Sequence, residues 1–190
     1  MRHLAALTAL LAADDARMAA LSAVRALALR DGWIGAGFVR DAIWDRLHGR
    51  PPMLPGGDVD VLWHDPSRAD AVVDRAWERA LRGRLPGYDW SVKNQARMHA
   101  RNGDAPYADV AAAMRAWPET ATAVAVRLEA DGAIGVNAPL GLDDLFAPVL
   151  RPTPHFAAEK RAIFDERVAT KRWLVRYPLL RIEASGSIES

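Results

Sequence analysis

Two aspartates, Asp58 and Asp60, stand two residues apart in the run Gly57-Asp-Val-Asp-Val-Leu-Trp-His64. The interleaved valines make this run a strand over 58–64. A strand's period of two puts both carboxylates on one face. Side by side they repel, and burying them unpaired is costly. A divalent cation between them removes the conflict, and hard oxygen ligands suit Mg²⁺ or Mn²⁺ bound together with substrate phosphates. Spacing alone reads equally well as solvent-facing aspartates on an edge strand.

A second stretch lies upstream, Trp33-Ile-Gly-Ala-Gly-Phe-Val-Arg-Asp41. It reads as a short strand over 33–36, a glycine turn, and a helix over 38–47. Gly35 and Gly37 adopt backbone angles that other residues avoid, so the chain can turn tightly and leave room for a ligand's phosphates. The helix would aim its unpaired N–H groups, those of Phe38 included, and its positive dipole end at the same place. Gly35-x-Gly37-x-x-Arg40 also suggests a dinucleotide fingerprint with an acid about 20 residues on. Three features oppose that: Arg40 replaces the third glycine, the helix is cut at Gly49-Arg50-Pro51, and the acids lie inside a strand.

These residues need a scaffold to hold them. The chain has 190 residues, 51% apolar and 26% charged, enough for one globular domain with a proper core. The net charge of +1 gives no support to a general nucleic-acid binder. Cysteine is absent, which excludes disulfides and thiolate metal sites. No apolar run approaches the roughly 20 residues of a membrane span. A cytoplasmic location is the expectation, with no membrane partner. Oligomeric state leaves no sign in the sequence.

Along the chain, the expected elements are helices over 3–12 and 15–30, the strand–turn–helix at 33–47, a proline-rich loop at 50–57, and the acidic strand. A helix over 67–81 and an alternating strand over 88–93 follow. A short helix from Asp109, a helix from Pro118 to Ala130, a strand over 133–137 and a short helix over 143–146 come next. An amphipathic helix over 156–175 closes the chain before a Ser- and Gly-rich tail. Residues 1–183 are read as a single domain, with N-terminal helices 3–30, a core 33–150 and the C-terminal helix; 184–190 is read as a frayed tail. Lys93, Asn94, Gln95, Arg97 and His99 form a dense polar group that suits either core capping or ligand contact.

Ala36-Gly37-Phe38-Val39-Arg40-Asp41 followed by Asp58-Val59-Asp60 resembles the Gly-Gly-x-Val-Arg-Asp and Asp-x-Asp pattern of tRNA nucleotidyltransferases, within the DNA polymerase beta-like nucleotidyltransferase superfamily. Four further stretches resemble a bacterial nucleotidyltransferase-like family, formerly a domain of unknown function. They are Trp90-Ser-Val-Lys-Asn-Gln-Ala-Arg-Met-His99, Trp117-Pro-Glu-Thr-Ala-Thr-Ala123, Ala138-Pro-Leu-Gly-Leu-Asp-Asp-Leu-Phe146 and Arg151-Pro-Thr-Pro154. The resemblance covers about Ile34 to Pro178 and implies an α/β fold of the α+β type, with a small mixed sheet, surrounding helices and a helical C-terminal part.

It implies chemistry as well. Asp58 and Asp60 would bind two Mg²⁺ ions, one on the phosphates of a nucleoside triphosphate (NTP) and one on an acceptor hydroxyl. Gly37 and the following amides would hold the β- and γ-phosphates, and Arg40 would pair with phosphate or with Asp41. The chain departs from the pattern in two places. Ala36 replaces the first glycine, and Ser91 stands where a third carboxylate is expected. Asp89, on the polar face of the 88–93 strand, is the best remaining third acid, and Lys93 on that face could reach a phosphate as a flexible point charge. The reading is therefore a metal-dependent nucleotidyltransferase acting on an unidentified acceptor hydroxyl. The alternative is a non-catalytic nucleotide-sensing or partner-binding module with an incomplete metal site.

Overall fold

The computed structural model describes residues 1–51, 53 and 57–183. Part of the 50–57 loop and the 184–190 tail lie outside the described residues. Two helices open the chain, α1 (Arg2–Ala12) and α2 (Asp15–Arg25). Asp14 caps α2, its side chain accepting from the Arg17 amide. The helix ends short of the expected residue 30 because Ala28 and Asp31 take positive φ angles of 50° and 47°.

Strand β1 (Trp33–Gly35) leads through Ala36 into α3 (Gly37–Leu47). Then come β2 (Val59–Trp63), α4 (Ala71–Arg84), β3 (Trp90–Asn94), and two short helices, α5 (Met98–Asn102) and α6 (Val110–Arg115). Strands β4 (Ala125–Leu128) and β5 (Ile134–Asn137) complete a five-stranded sheet of order β3-β2-β1-β4-β5. β2 and β3 run parallel; the other pairs are antiparallel. The expected mixed sheet with surrounding helices is therefore present.

One expectation fails. Residues 118–130 do not form a helix; a 3-10 turn over Thr120–Thr122 passes into β4. The alanines favour helix locally, but Val124 and Val126 are buried and β4 fills the slot between β1 and β5. Tertiary pairing overrides local propensity there.

The two faces of the sheet differ. Trp90 and Val92 of β3, Val59, Val61 and Trp63 of β2, Ile34 of β1 and Val126 of β4 belong to the main core, which α1, α2 and α3 also line. The opposite face carries Asp60, Leu62, Trp33, Gly35 and Ala125, and among the described residues a small cluster with Val110 and Met114 of α6, joined by Trp117 and Leu140, covers part of it. Helix α4 shields the free edge of β3. The Val92 amide donates to Glu78 Oε1 at 3.0 Å and the Asn94 amide to Asp74 Oδ1 at 3.1 Å. Buried Asp74 also accepts from the Trp63 indole at 2.8 Å and from Arg97. An edge strand so covered offers no ladder to a second chain.

The C-terminal part holds the sheet from another side. After α7 (Asp143–Phe146) and β6 (Val149–Leu150), helices α8 (Arg161–Lys171) and α9 (Trp173–Arg176) replace the single expected helix over 156–175. Arg172 breaks them at φ 51°. Trp173 and Tyr177 meet Trp44 of α3 edge-on, with ring centroids 6.1 and 5.3 Å apart. β7 (Arg181–Ile182) then pairs with β6.

Candidate active site

Asp60 sits in the middle of β2 on the lightly covered face. Its register partners are Gly35 on β1 and Ser91 on β3. Asp58 is exposed just before the strand. The Asp60 carboxyl is half-buried, and its pKa is raised from 3.8 to about 6, first by burial and then by repulsion from Asp58. Arg40, Arg167 and Lys93 act in the opposite direction. Three cations thus act on the Asp60 carboxyl, which Asp58 repels.

The two glycines have different tasks. Gly35 lies inside β1, where an added Cβ would meet Leu62 Cδ1 at 3.0 Å and the Val124 carbonyl at 3.1 Å. Its missing side chain lets three strands close up, which gives it a packing role. Gly37 opens α3, and its Cβ would meet only Arg40 Nη2 at 3.4 Å and Asp41 Oδ2 at 3.8 Å. The sharp turn falls on Ala36, at φ 53° and ψ −126°. Phe38 is fully buried, with the Arg17 guanidinium carbon 5.6 Å from its ring centroid. Only its amide, at the start of α3, remains for a ligand.

Arg40 faces inward. Its Nε and Nη2 donate to Asp41 Oδ1 at 3.0 and 2.8 Å, and Nη1 donates to Thr122 Oγ1 at 3.2 Å. Asp41, one of the two partners expected for Arg40, is thus paired with it. Lys93 lies near Glu78, Nζ to Oε1 at 3.4 Å. In the polar group at the end of β3, Asn94 is structural. Its Nδ2 donates to the Asp65 and Arg68 carbonyls at 2.8 and 3.0 Å.

The third acid does not join the pair. Asp89 precedes β3 with an exposed side chain, while its carbonyl accepts from the Val59 amide at 2.7 Å. Among the described residues, no group of three or more His, Cys, Asp and Glu side chains is placed to hold a metal ion. Alternation holds within β3, where Trp90 and Val92 are buried and Ser91 and Lys93 are half-buried. The strand starts at Trp90, two residues later than expected, so Asp89 lies just outside it.

Sequence reading missed Arg167 and Glu119. Arg167 Nε donates to Glu119 Oε1 at 2.6 Å across 48 residues of chain. A lone arginine on an amphipathic helix gives no signal of such a partner. A cavity of about 260 Å³ lined by Arg30, Asp31, His64 and Asn137, among others, contains none of these site residues. Among the described residues no helix is long and apolar enough to cross a membrane.

Several solved structures share this fold. A protein whose NMR structure is described as revealing a CCA-adding enzyme head domain is 33% identical, with a TM-score of 0.80, and the match covers 89% of this chain and 90% of that one. The Thermotoga maritima CCA-adding enzyme complexed with tRNA shares the fold at 16% identity and TM-score 0.58, over 94% of this chain and 42% of its own. A tRNA-processing enzyme complex matches at 17% identity and TM-score 0.53, over 86% of this chain and 43% of its own. The chain thus spans less than half the length of these two enzymes. No curated protein matches. A nucleotidyltransferase family model matches residues 22–182, and the chain belongs to that family.

Proposed function

We propose that this protein transfers a nucleotidyl group from an NTP to an acceptor hydroxyl, with Mg²⁺ or Mn²⁺ held by Asp58 and Asp60. The observation that carries this reading is the state of Asp60. A carboxyl pushed to about 6 by burial and by a neighbouring carboxylate keeps negative charge that the three nearby cations do not offset. The donor set consists of hard oxygens, which fits Mg²⁺ or Mn²⁺ completed by substrate phosphates and water. When bound, the cation supplies charge stabilisation to the entering and leaving oxygens of an in-line displacement.

The chain's own groups do the positioning. The amides of Gly37 and Phe38, at the start of α3, face the phosphate side of the site. Gly37 leaves room there for close approach. Lys93 adds a mobile positive charge. The acceptor oxygen forms a bond to the α-phosphorus, the bond to the β-phosphate breaks, and pyrophosphate departs.

A second reading is nucleotide sensing without transfer. The exposed position of Asp89 favours it, since two carboxylates hold fewer ions than three. Incubation with α-labelled NTPs, Mg²⁺ and a cell extract separates the two. Label transferred to an acceptor, with pyrophosphate released, supports the enzyme; tight NTP binding with no label transferred supports the sensor.

A further inference from the structure

Arg40 is the cation that the sequence offers to the phosphates, yet its guanidinium is committed elsewhere. The residue is 6% exposed. Three donors go to Asp41 and Thr122, and its guanidinium carbon lies 5.1 Å from the Trp44 ring centroid and 4.5 Å from that of Trp173. An arginine stacked and hydrogen-bonded in this way fixes α3 to α9 and has little left for a ligand.

Arg167 is placed differently. Its guanidinium carbon lies 5.5 Å from the same Trp173 ring. Only Nε has a partner, Glu119, so Nη1 and Nη2 carry no partner among the described residues. The side chain is 35% exposed. Glu119 is fully buried, and its Oε2 has no hydrogen-bond partner among the described residues. A buried carboxylate is costly unless paired, and Arg167 is its charge partner here. The pair therefore holds the guanidinium by one corner and leaves the terminal fork free. A planar fork matches phosphate oxygens two at a time. The fork is also near the start of α3, since Arg167 shares the Trp173 ring with Arg40, whose guanidinium carbon lies 4.5 Å from that ring and whose Nη2 would lie 3.4 Å from a Cβ at Gly37.

We propose that Arg167 is a ligand for the phosphate chain of the NTP, presented by Glu119, so that α8 completes a site begun by β2 and α3. The proposal rests on the reading that the nucleotide binds at Asp58 and Asp60. It makes the C-terminal helices part of the nucleotide site, and it ties affinity to the number of phosphates the ligand carries.

The test is calorimetric binding of ATP and of AMP, with Mg²⁺, to wild type, Arg167→Lys, and the double variant Glu119→Gln/Arg167→Gln. The double variant removes both charges and so avoids a buried unpaired carboxylate. Loss of charge-assisted phosphate bonds weakens ATP binding about tenfold or more while AMP changes less than about twofold. Arg167→Lys falls between, because it keeps the charge and loses the fork. A folded double variant that binds ATP as wild type does overturns the proposal, as does an equal loss for ATP and AMP. If the double variant does not melt cooperatively, Arg167→Lys decides by the same ATP-to-AMP comparison. Asp60→Asn is run alongside. Loss of Mg²⁺-dependent ATP binding in Asp60→Asn but not in the Arg167 variants rejects this proposal alone. A wild type that binds no ATP rejects it together with the reading it rests on.

Discussion

Asp60 on β2 is registered with Ser91 on β3, so its neighbour across the parallel ladder is a hydroxyl and not an acid. The carboxylate that acts on Asp60 is Asp58, the residue that leads into the same strand. The negative charge of the site is therefore concentrated at one strand. The positive charge comes from three distant parts of the chain: Arg40 on α3, Lys93 on β3 and Arg167 on α8.

This concentration makes stability depend on pH. The folded-state pKa of Asp60, about 6, lies above the ordinary 3.8. The folded protein holds this proton more tightly than the unfolded chain does. The associated stability is present below about pH 4 and is lost as the pH rises through 6. In metal-free buffer at pH 8, Asp60→Asn should melt above wild type, by roughly 5 °C for a chain of this size. The gap should close as the pH falls towards 4. A gap that is constant with pH contradicts the assignment.

Ala36 stores backbone strain. It holds φ 53° and ψ −126°, angles that favour glycine, at the turn that aims α3. The strain relieved by glycine offsets the added chain entropy and the lost methyl. Ala36→Gly should melt at or above the wild-type temperature, and Ala36→Val should lose at least about 2 kcal/mol, because β-branching is least tolerated at positive φ. Thermal melts of both variants check this. A drop of several degrees in Ala36→Gly would argue against the strained turn.

Gly35 and Gly37 should separate under the same substitution. An alanine at 35 meets Leu62 Cδ1 and the Val124 carbonyl at 3.0 and 3.1 Å, within a packed strand. Gly35→Ala should cost about 1–3 kcal/mol. An alanine at 37 meets nothing closer than 3.4 Å and stands in a helix, so Gly37→Ala should keep its melting temperature within a few degrees. Denaturant unfolding of the two variants measures the contrast, and equal losses would contradict it.

The sequence made much of this legible. The alternation in 58–64 and 88–93 reflects strands with one core face, and burial of Val59, Val61, Trp90 and Val92 follows it. Glycine and proline punctuation marked α3 and its end. Two kinds of information were absent. Residues 125–128 are a strand because β1 and β5 flank them, which no local window contains. The Arg167–Glu119 pair joins residues 48 apart, and an arginine on an amphipathic helix reads as a solvated charge until its partner is seen. Asp89 shows the limit from the other side. Alternation describes Trp90 to Lys93, but not whether the strand extends far enough to hold the Asp89 carboxyl beside Asp58.

The central claim is that Asp58 and Asp60 share a divalent cation with the NTP, and titration calorimetry of ATP with and without Mg²⁺ tests it most directly. Wild type should bind ATP at least about tenfold more tightly with Mg²⁺ or Mn²⁺ than in chelator, a difference of about 1.4 kcal/mol. Asp60→Asn should lose that gain while remaining folded. ATP binding that is independent of divalent metal, and equal in wild type and Asp60→Asn, would contradict the account.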